Sequence, residues 1–166
     1  MKEEVAEFLK ESNAIEGVYD NASLLQAQEA WKFLIKQKEL TVGAVLKTHK
    51  ILMLLQNLYP NEKGYFRTLP VLIGGREGLE HKKIPHAVGQ WVLNVNDVVK
   101  NGQKENPIFL QRITQSHHVS YEEIHPFVDG NGRTGRIFLN WERLRVGLPI
   151  LIIKADERSD YYKWFK

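Results

Sequence analysis

The sequence predicts an all-α fold carrying one small β-hairpin, and three observations lead to it. Apolar residues recur at three- and four-residue spacing through most of the chain, the period of a helix face. These stretches are bounded by Asp, Thr, Asn and Pro, which cap or open helices. The run from Gly64 to Gly75 departs from the pattern, mixing β-branched and aromatic residues with glycine.

In chain order, residues 3–16 place Val5, Phe8, Leu9 and Ile15 near helical spacing, and Gly17 supplies a C-cap. Ser12 and Glu16 are four apart on this short helix and so share a face. Asp20 to Ser23 offers caps for a second helix with Leu24, Ala27, Trp31, Leu34 and Ile35 in its stripe, ending near Lys38. Thr41 caps a third, built on Val42, Val45, Leu46, Ile51, Leu52 and Leu55 and broken at Tyr59-Pro60-Asn61.

The hairpin is expected over about 69–84, with its tip in the polar run Arg76 to Lys83. A bare hairpin in a helical protein leaves an exposed strand edge, and such edges accept other chains. Pro85 opens a helix through Val88, Trp91, Val92, Val95 and Val99, ended by Asn101-Gly102. Asn106-Pro107 starts another, with Ile108, Phe109, Ile113 and His117 on its face, running to about Glu123. A last long helix is expected from Gly132 to Val146, with Ile137, Phe138, Trp141 and Leu144 on one face. Pro149 to Ile153 is extended or buried, and Ser159 can cap a final turn through Tyr161, Tyr162 and Trp164.

At 166 residues and 43% hydrophobic, the chain has enough apolar material for one domain with a real core. A net charge of +3 with no separate basic run argues against a nucleic-acid surface. Without cysteine there is neither a disulfide nor a thiolate metal site, and a reducing cytosol is the simplest compartment. No apolar stretch approaches the roughly 20 residues of a membrane span, so a soluble cytosolic protein is expected.

Chemistry concentrates in His125-Pro126-Phe127-Val128-Asp129-Gly130-Asn131-Gly132-Arg133-Thr134-Gly135-Arg136. Its glycines allow positive φ and let a ligand reach main-chain N–H groups with no Cβ in the way. The helix that follows would present those amides at its N-terminus, an anion site. Arg133 and Arg136, three apart, are expected on roughly one face, where two guanidinium forks suit a polyphosphate. Asp129 suits magnesium, which takes one or two carboxylates and completes its shell with substrate phosphates. His125 has the ordinary pKa of a general base. His117 and His118 are read as packing or surface residues rather than metal ligands, because no carboxylate is fixed to them by spacing.

This stretch resembles the Fic family signature, H-P-F-x-[DE]-G-N-G-R-x-x-R, at every specified position. The resemblance implies a helical Fic fold over about 18–166 that transfers AMP from ATP to a hydroxyl of a protein Ser, Thr or Tyr. Carried over by position, His125 would be the base and Asp129 the magnesium ligand, while Gly130, Asn131, Gly132, Arg133 and Arg136 would bind the nucleotide phosphates. Ser12-Asn13-Ala14-Ile15-Glu16-Gly17 is similar to the family's inhibitory motif, [ST]-x-x-x-E-[GN]. Residues 1–17 would then form an in-chain inhibitory helix whose Glu16 pairs with Arg136, the arginine for the γ-phosphate.

The family also carries a flap at Val71, Leu72, Ile73 and Gly74 that aligns a target segment by strand addition. Arg67, in Gly64-Tyr65-Phe66-Arg67, resembles a family position with a structural role, and it is left outside the site. Arg158 to Tyr162 is similar to a further family feature, in which Tyr161 or Tyr162 either lines the adenine pocket or packs. Removal of AMP, transfer of another phosphate-linked group, and a non-catalytic nucleotide- or peptide-binding module are the rival readings. A homodimer and, in the enzymatic reading, self-AMPylation are further expectations.

Overall fold

The computed structural model describes residues 2–165, which form seven α-helices and one two-stranded hairpin among them. The helices are α1 (Glu3–Ile15), α2 (Asn21–Leu34), α3 (Val42–Leu52), α4 (Ile84–Asn101), α5 (Pro107–Ile124), α6 (Asn131–Arg145) and the single turn α7 (Arg158–Tyr161). The strands are β1 (Leu72–Ile73) and β2 (Arg76–Glu77), antiparallel, with Leu72 opposite Glu77 and Ile73 opposite Arg76.

The caps read from sequence form as the side-chain chemistry dictates. Asp20, Thr41 and Asn106 each accept from the backbone N–H three residues on, at 2.8, 3.0 and 2.9 Å. Helix α1 ends in a Schellman motif: the Gly17 N–H donates to Ala14 O and the Val18 N–H to Asn13 O, with Gly17 at φ 71°. That closure fixes Glu16 at the C-cap, pointing off the end of the helix.

Several expectations are corrected. Helix α2 stops at Leu34 rather than Lys38, and α3 at Leu52, which leaves Leu55 60% exposed beyond the helix. The hairpin turns at Gly74-Gly75 (φ 55° and 83°), not in the run 76–83. Two left-handed residues make the tight turn that suits strand twist. Residues 81–83 are instead a 3₁₀ turn leading into α4. On α5 the buried face is Leu110, Thr114, His117, His118 and Tyr121, while Ile108 and Phe109 lie outside. Apolar content misread that register because the helix buries polar side chains that have partners: the Thr114 hydroxyl donates to Leu110 O, and both histidines are hydrogen-bonded to other helices. Leu144 is likewise outside the α6 core face, and Ser159 caps nothing, since Glu157 precedes α7.

One core joins all the long helices, with Phe8 and Leu9 from α1, Trp31 from α2, Val45 from α3, Trp91 from α4, Tyr121 from α5 and Trp141 from α6. The centre is α6, buried at every position from Arg133 to Arg143. A central helix is normally apolar all round. This one buries charge instead, and most of its polar side chains find partners: Glu142 with His117 Nδ1 at 2.7 Å, Asn140 with both backbone polar groups of Leu151, and Arg143 with Pro149 O, while Arg133 Nε and Trp141 Nε1 have none among the described residues. None of the described helices is long and apolar enough to cross a membrane.

Candidate active site

The loop between α5 and α6 is shaped by contacts the motif does not reveal. His125 sits in the left-handed region at φ 48°, which is uncommon for a residue with a Cβ and is held only when the surroundings fix it. Arg67, 2% exposed, does so. Its Nε donates to His125 O at 2.7 Å, its own N–H donates to Pro126 O at 2.9 Å, and its other nitrogens reach Leu69 O and Leu79 O below the hairpin. The residue left outside the site is therefore the brace of the histidine and of the flap together.

His49 on α3 is a second support, and the sequence reading missed it. The Gly64 N–H donates to His49 Nδ1 at 2.9 Å, so the neutral ring carries its proton on Nε2 and donates to Asp129 O at 2.9 Å. Burial lowers its pKa to about 4, which keeps it neutral. The ring stacks flat on Phe127, centroids 3.6 Å apart. The signal in the sequence was a histidine within an apolar stripe, which spacing alone reads as core.

Asn131 opens α6, and its side chain clasps the Phe127 backbone from both ends, Oδ1 to N and Nδ2 to O, each at 2.9 Å. With Oδ1 and one Nδ2 hydrogen committed to Phe127, its main-chain N–H is the donor left at the start of α6. The N–H groups of Asn131, Gly132 and Arg133 have no acceptor among the described residues, as expected of a helix's first turn. Asn131 and Gly132 line a cavity of about 180 Å³ together with Glu16, His125, Val128, Asp129 and Gly130.

His125 Nδ1 lies 3.3 Å from Glu122 O. Burial and then the nearby Arg67 charge hold its pKa below the usual histidine value, with partial opposition from the Glu122 carbonyl and Asp129. The imidazole is thus neutral and able to accept a proton near pH 7.

Asp129 has an exposed side chain, with Oδ1 accepting from the Gly130 N–H at 2.6 Å. No group of three or more His, Cys, Asp or Glu that could hold a metal occurs among the described residues. A lone accessible carboxylate beside free amides still fits magnesium, provided that substrate phosphates complete the shell.

The two arginines, expected on one face, diverge. Arg133 is buried with Nη2 3.3 Å from Met53 Sδ and 3.7 Å from Asp129 Oδ2, toward α3. Arg136, 2% exposed, turns toward α1 and α7. Its Nε donates to Ser12 Oγ (2.9 Å), its Nη2 to Ser12 O (2.8 Å) and Glu16 Oε1 (2.7 Å), and its Nη1 to Tyr161 OH (3.3 Å). Burial works against its charge, but the Tyr161 and Glu16 partners outweigh it and hold the pKa above the usual arginine value. Glu16 reaches Arg136 by crossing directly over Gly132, whose missing Cβ leaves room for the carboxylate.

Tyr161 OH also contacts His118 Nε2 at 2.8 Å, and the residue is 4% exposed. It packs against Arg136 rather than facing an open pocket. Tyr162 is 45% exposed.

Behind Arg136, the Oε1 of Glu122 is shut from solvent without a hydrogen-bond partner, close against Gly135. Burial pushes this carboxyl up to about 8, with Arg136 opposing and Glu16 adding to the rise. An acid with a folded pKa raised above its ordinary value of 4.5 binds more protons folded than unfolded. Stability then falls as pH rises between the two values. Glu122→Gln should therefore raise Tm more at about pH 8 than at about pH 5 by thermal unfolding, and an equal change at both would show that the carboxyl is ionised throughout.

Comparisons with known proteins bear on family and fold. The model of the Fic/DOC family matches residues 39–142, from the end of α2's following loop to the buried Glu142. Over 135 residues, 80% of the chain, the sequence is 31% identical to the protein adenylyltransferase Fic of Drosophila grimshawi, covering 26% of that protein. The namesake of Nematostella vectensis is 30% identical over 151 residues, 88% of this chain and 30% of its own. The chain thus spans about a quarter to a third of the length of the curated relatives it matches. In fold it is similar to a Fic-domain-containing signaling protein of Bacteroides thetaiotaomicron, with TM-score 0.79 and 20% identity, covering 95% of this chain and 69% of that one. Fic-1 of C. elegans superimposes at TM-score 0.70 with 22% identity, covering 98% and 55%. With the signature loop matched at every specified position and set on a buried helix, the chain belongs to the Fic/DOC family.

Proposed function

We propose that this chain is a protein adenylyltransferase that moves AMP from ATP to a side-chain hydroxyl of another protein, and that Glu16 holds it off at rest. The observation that carries the reading is a local arrangement: a neutral histidine, an accessible carboxylate and the helix-opening residues Asn131 and Gly132 with their free N–H groups line one cavity, and Glu16, which also lines it, holds Arg136.

In this reading His125 takes the proton of the target hydroxyl as its oxygen attacks the α-phosphorus. The bond to the β-phosphate oxygen breaks, and pyrophosphate leaves. The amides of Asn131, Gly132 and Arg133 would receive phosphate oxygens at the positive end of α6. Arg133 would stabilise the leaving group and Arg136 the γ-phosphate. Asp129 would hold magnesium, which when bound supplies charge neutralisation at the phosphates. Positioning and charge stabilisation carry most of the rate in such transfers. The two-residue strands offer a target only a short edge, on which Leu72 is 73% exposed. Strand addition at Val71, Leu72, Ile73 and Gly74 is the proposed mode of docking.

The test uses ATP labelled on either the α- or the γ-phosphate, incubated with the Glu16→Gly chain and a cell extract. Label from the α position on protein is the expected result. Label from the γ position alone would make the chain a kinase and sink the reading.

A further inference from the structure

Arg136 has four hydrogen-bond contacts, and three come from α1. Two of these three belong to Ser12 and one to Glu16. The two residues are differently anchored. Ser12 is 3% exposed in the last turn of a helix whose Phe8, Leu9 and Ile15 are 2%, 0% and 3% exposed. Glu16 follows the last helical residue, and its side chain is 37% exposed. The Glu16 carboxylate can therefore leave by its own rotation, whereas lifting Ser12 would strip Phe8 from Trp31, its edge-to-face neighbour at 5.7 Å, and open the core.

After Glu16 departs, Nε and one Nη2 hydrogen remain tied to Ser12, and Tyr161 still accepts from Nη1. The freed Nη2 hydrogen points at the place the carboxylate occupied, above Gly132. A phosphate oxygen is the same kind of acceptor as the carboxylate oxygen it would replace. An arginine already immobilised there spends no rotamer freedom on binding.

We propose that Ser12, which the sequence groups with the inhibitory element, is a positioning residue of the released enzyme: it keeps Arg136 aimed at the terminal phosphate of the nucleotide. The inference rests on the reading of Glu16 and Arg136 given above. It also implies that α1 stays docked during turnover.

The experiment places Ser12→Ala and Ser12→Thr in the Glu16→Gly chain and measures magnesium-ATP and magnesium-ADP binding by calorimetry. Ser12→Ala should weaken ATP about tenfold, one hydrogen bond to a charged group, while ADP changes by less than about twofold. Ser12→Thr, which keeps the hydroxyl, should restore ATP affinity. ATP binding as tight as in the Glu16→Gly parent, or tighter, would make Ser12 only a brake and overturn the proposal. Equal losses for ATP and ADP would overturn it too, by making Ser12 a support of the fold. A Glu16→Gly chain that binds ATP no better than the unaltered protein would sink the inhibitory pairing and this proposal with it. Failure of that chain to transfer AMP would count against the transferase reading alone, since the ATP-to-ADP ratio is measured without turnover.

Discussion

Replacing Glu16 with glycine should tighten ATP binding about 10- to 100-fold and raise AMP transfer in proportion at limiting ATP. The cause is competition for one guanidinium. Glu16 Oε1 lies 2.7 Å from Arg136 Nη2, and Glu16 also lines the cavity proposed to take the nucleotide phosphates. With the carboxylate gone, a buried cation keeps neutral partners on Ser12 and Tyr161 but has no paired charge, and an uncompensated buried charge destabilises. The variant should accordingly show a lower Tm without nucleotide and a larger gain on adding ATP, because ligand binding stabilises by mass action. The helix itself should survive, since Glu16 is at the C-cap, where the chain leaves helical geometry and glycine is tolerated. Unchanged ATP affinity, measured by calorimetry, would refute the competition.

Substituting His125 by alanine should lower kcat of the Glu16→Gly chain by about 100- to 10,000-fold while ATP affinity changes little. The imidazole borders the cavity but makes no hydrogen bond to the amides or arginines that would grip the phosphates. Loss of ATP binding in step with kcat would instead make His125 a binding residue, and an unchanged kcat would end its assignment as the base. The same histidine sets the pH dependence. Its folded pKa lies below the ordinary value of 6.5, so the base is unprotonated and active down to a lower pH than a free imidazole would allow. The acid limb of kcat/KM should fall below that value, and Arg67→Met, which removes a neighbouring positive charge and a brace together, should move the limb upward while lowering kcat.

Much of the fold was legible before any coordinates because caps and periodicity are local. Asp20, Thr41, Asn106 and Gly17 each satisfy backbone groups within a turn of themselves, so their meaning does not depend on distant parts of the chain. The α5 face was misread for the opposite reason. His117 and His118 are buried because Glu142 and Tyr161, 25 and 43 residues away, supply their partners, and hydropathy assigns such groups to solvent. The hairpin tip was misplaced because the polar run 76–83 looked like a turn, while the Gly74-Gly75 pair needed only two residues.

The sequence by itself determined the loop chemistry, with base, carboxylate, glycines and arginines adjacent in twelve residues, and the four-residue spacing that sets Ser12 and Glu16 on one helical face. These follow from chain connectivity and helix geometry alone. Tertiary structure decided what each group can reach. It sent Arg133 toward Met53 and Arg136 toward α1, turned the Asn131 side chain inward, and brought Arg67 and His49 beneath the loop from 58 and 80 residues away. The reason is that a buried polar group must find its partner wherever packing puts one, and the packing of seven helices is not written in any single stretch of chain.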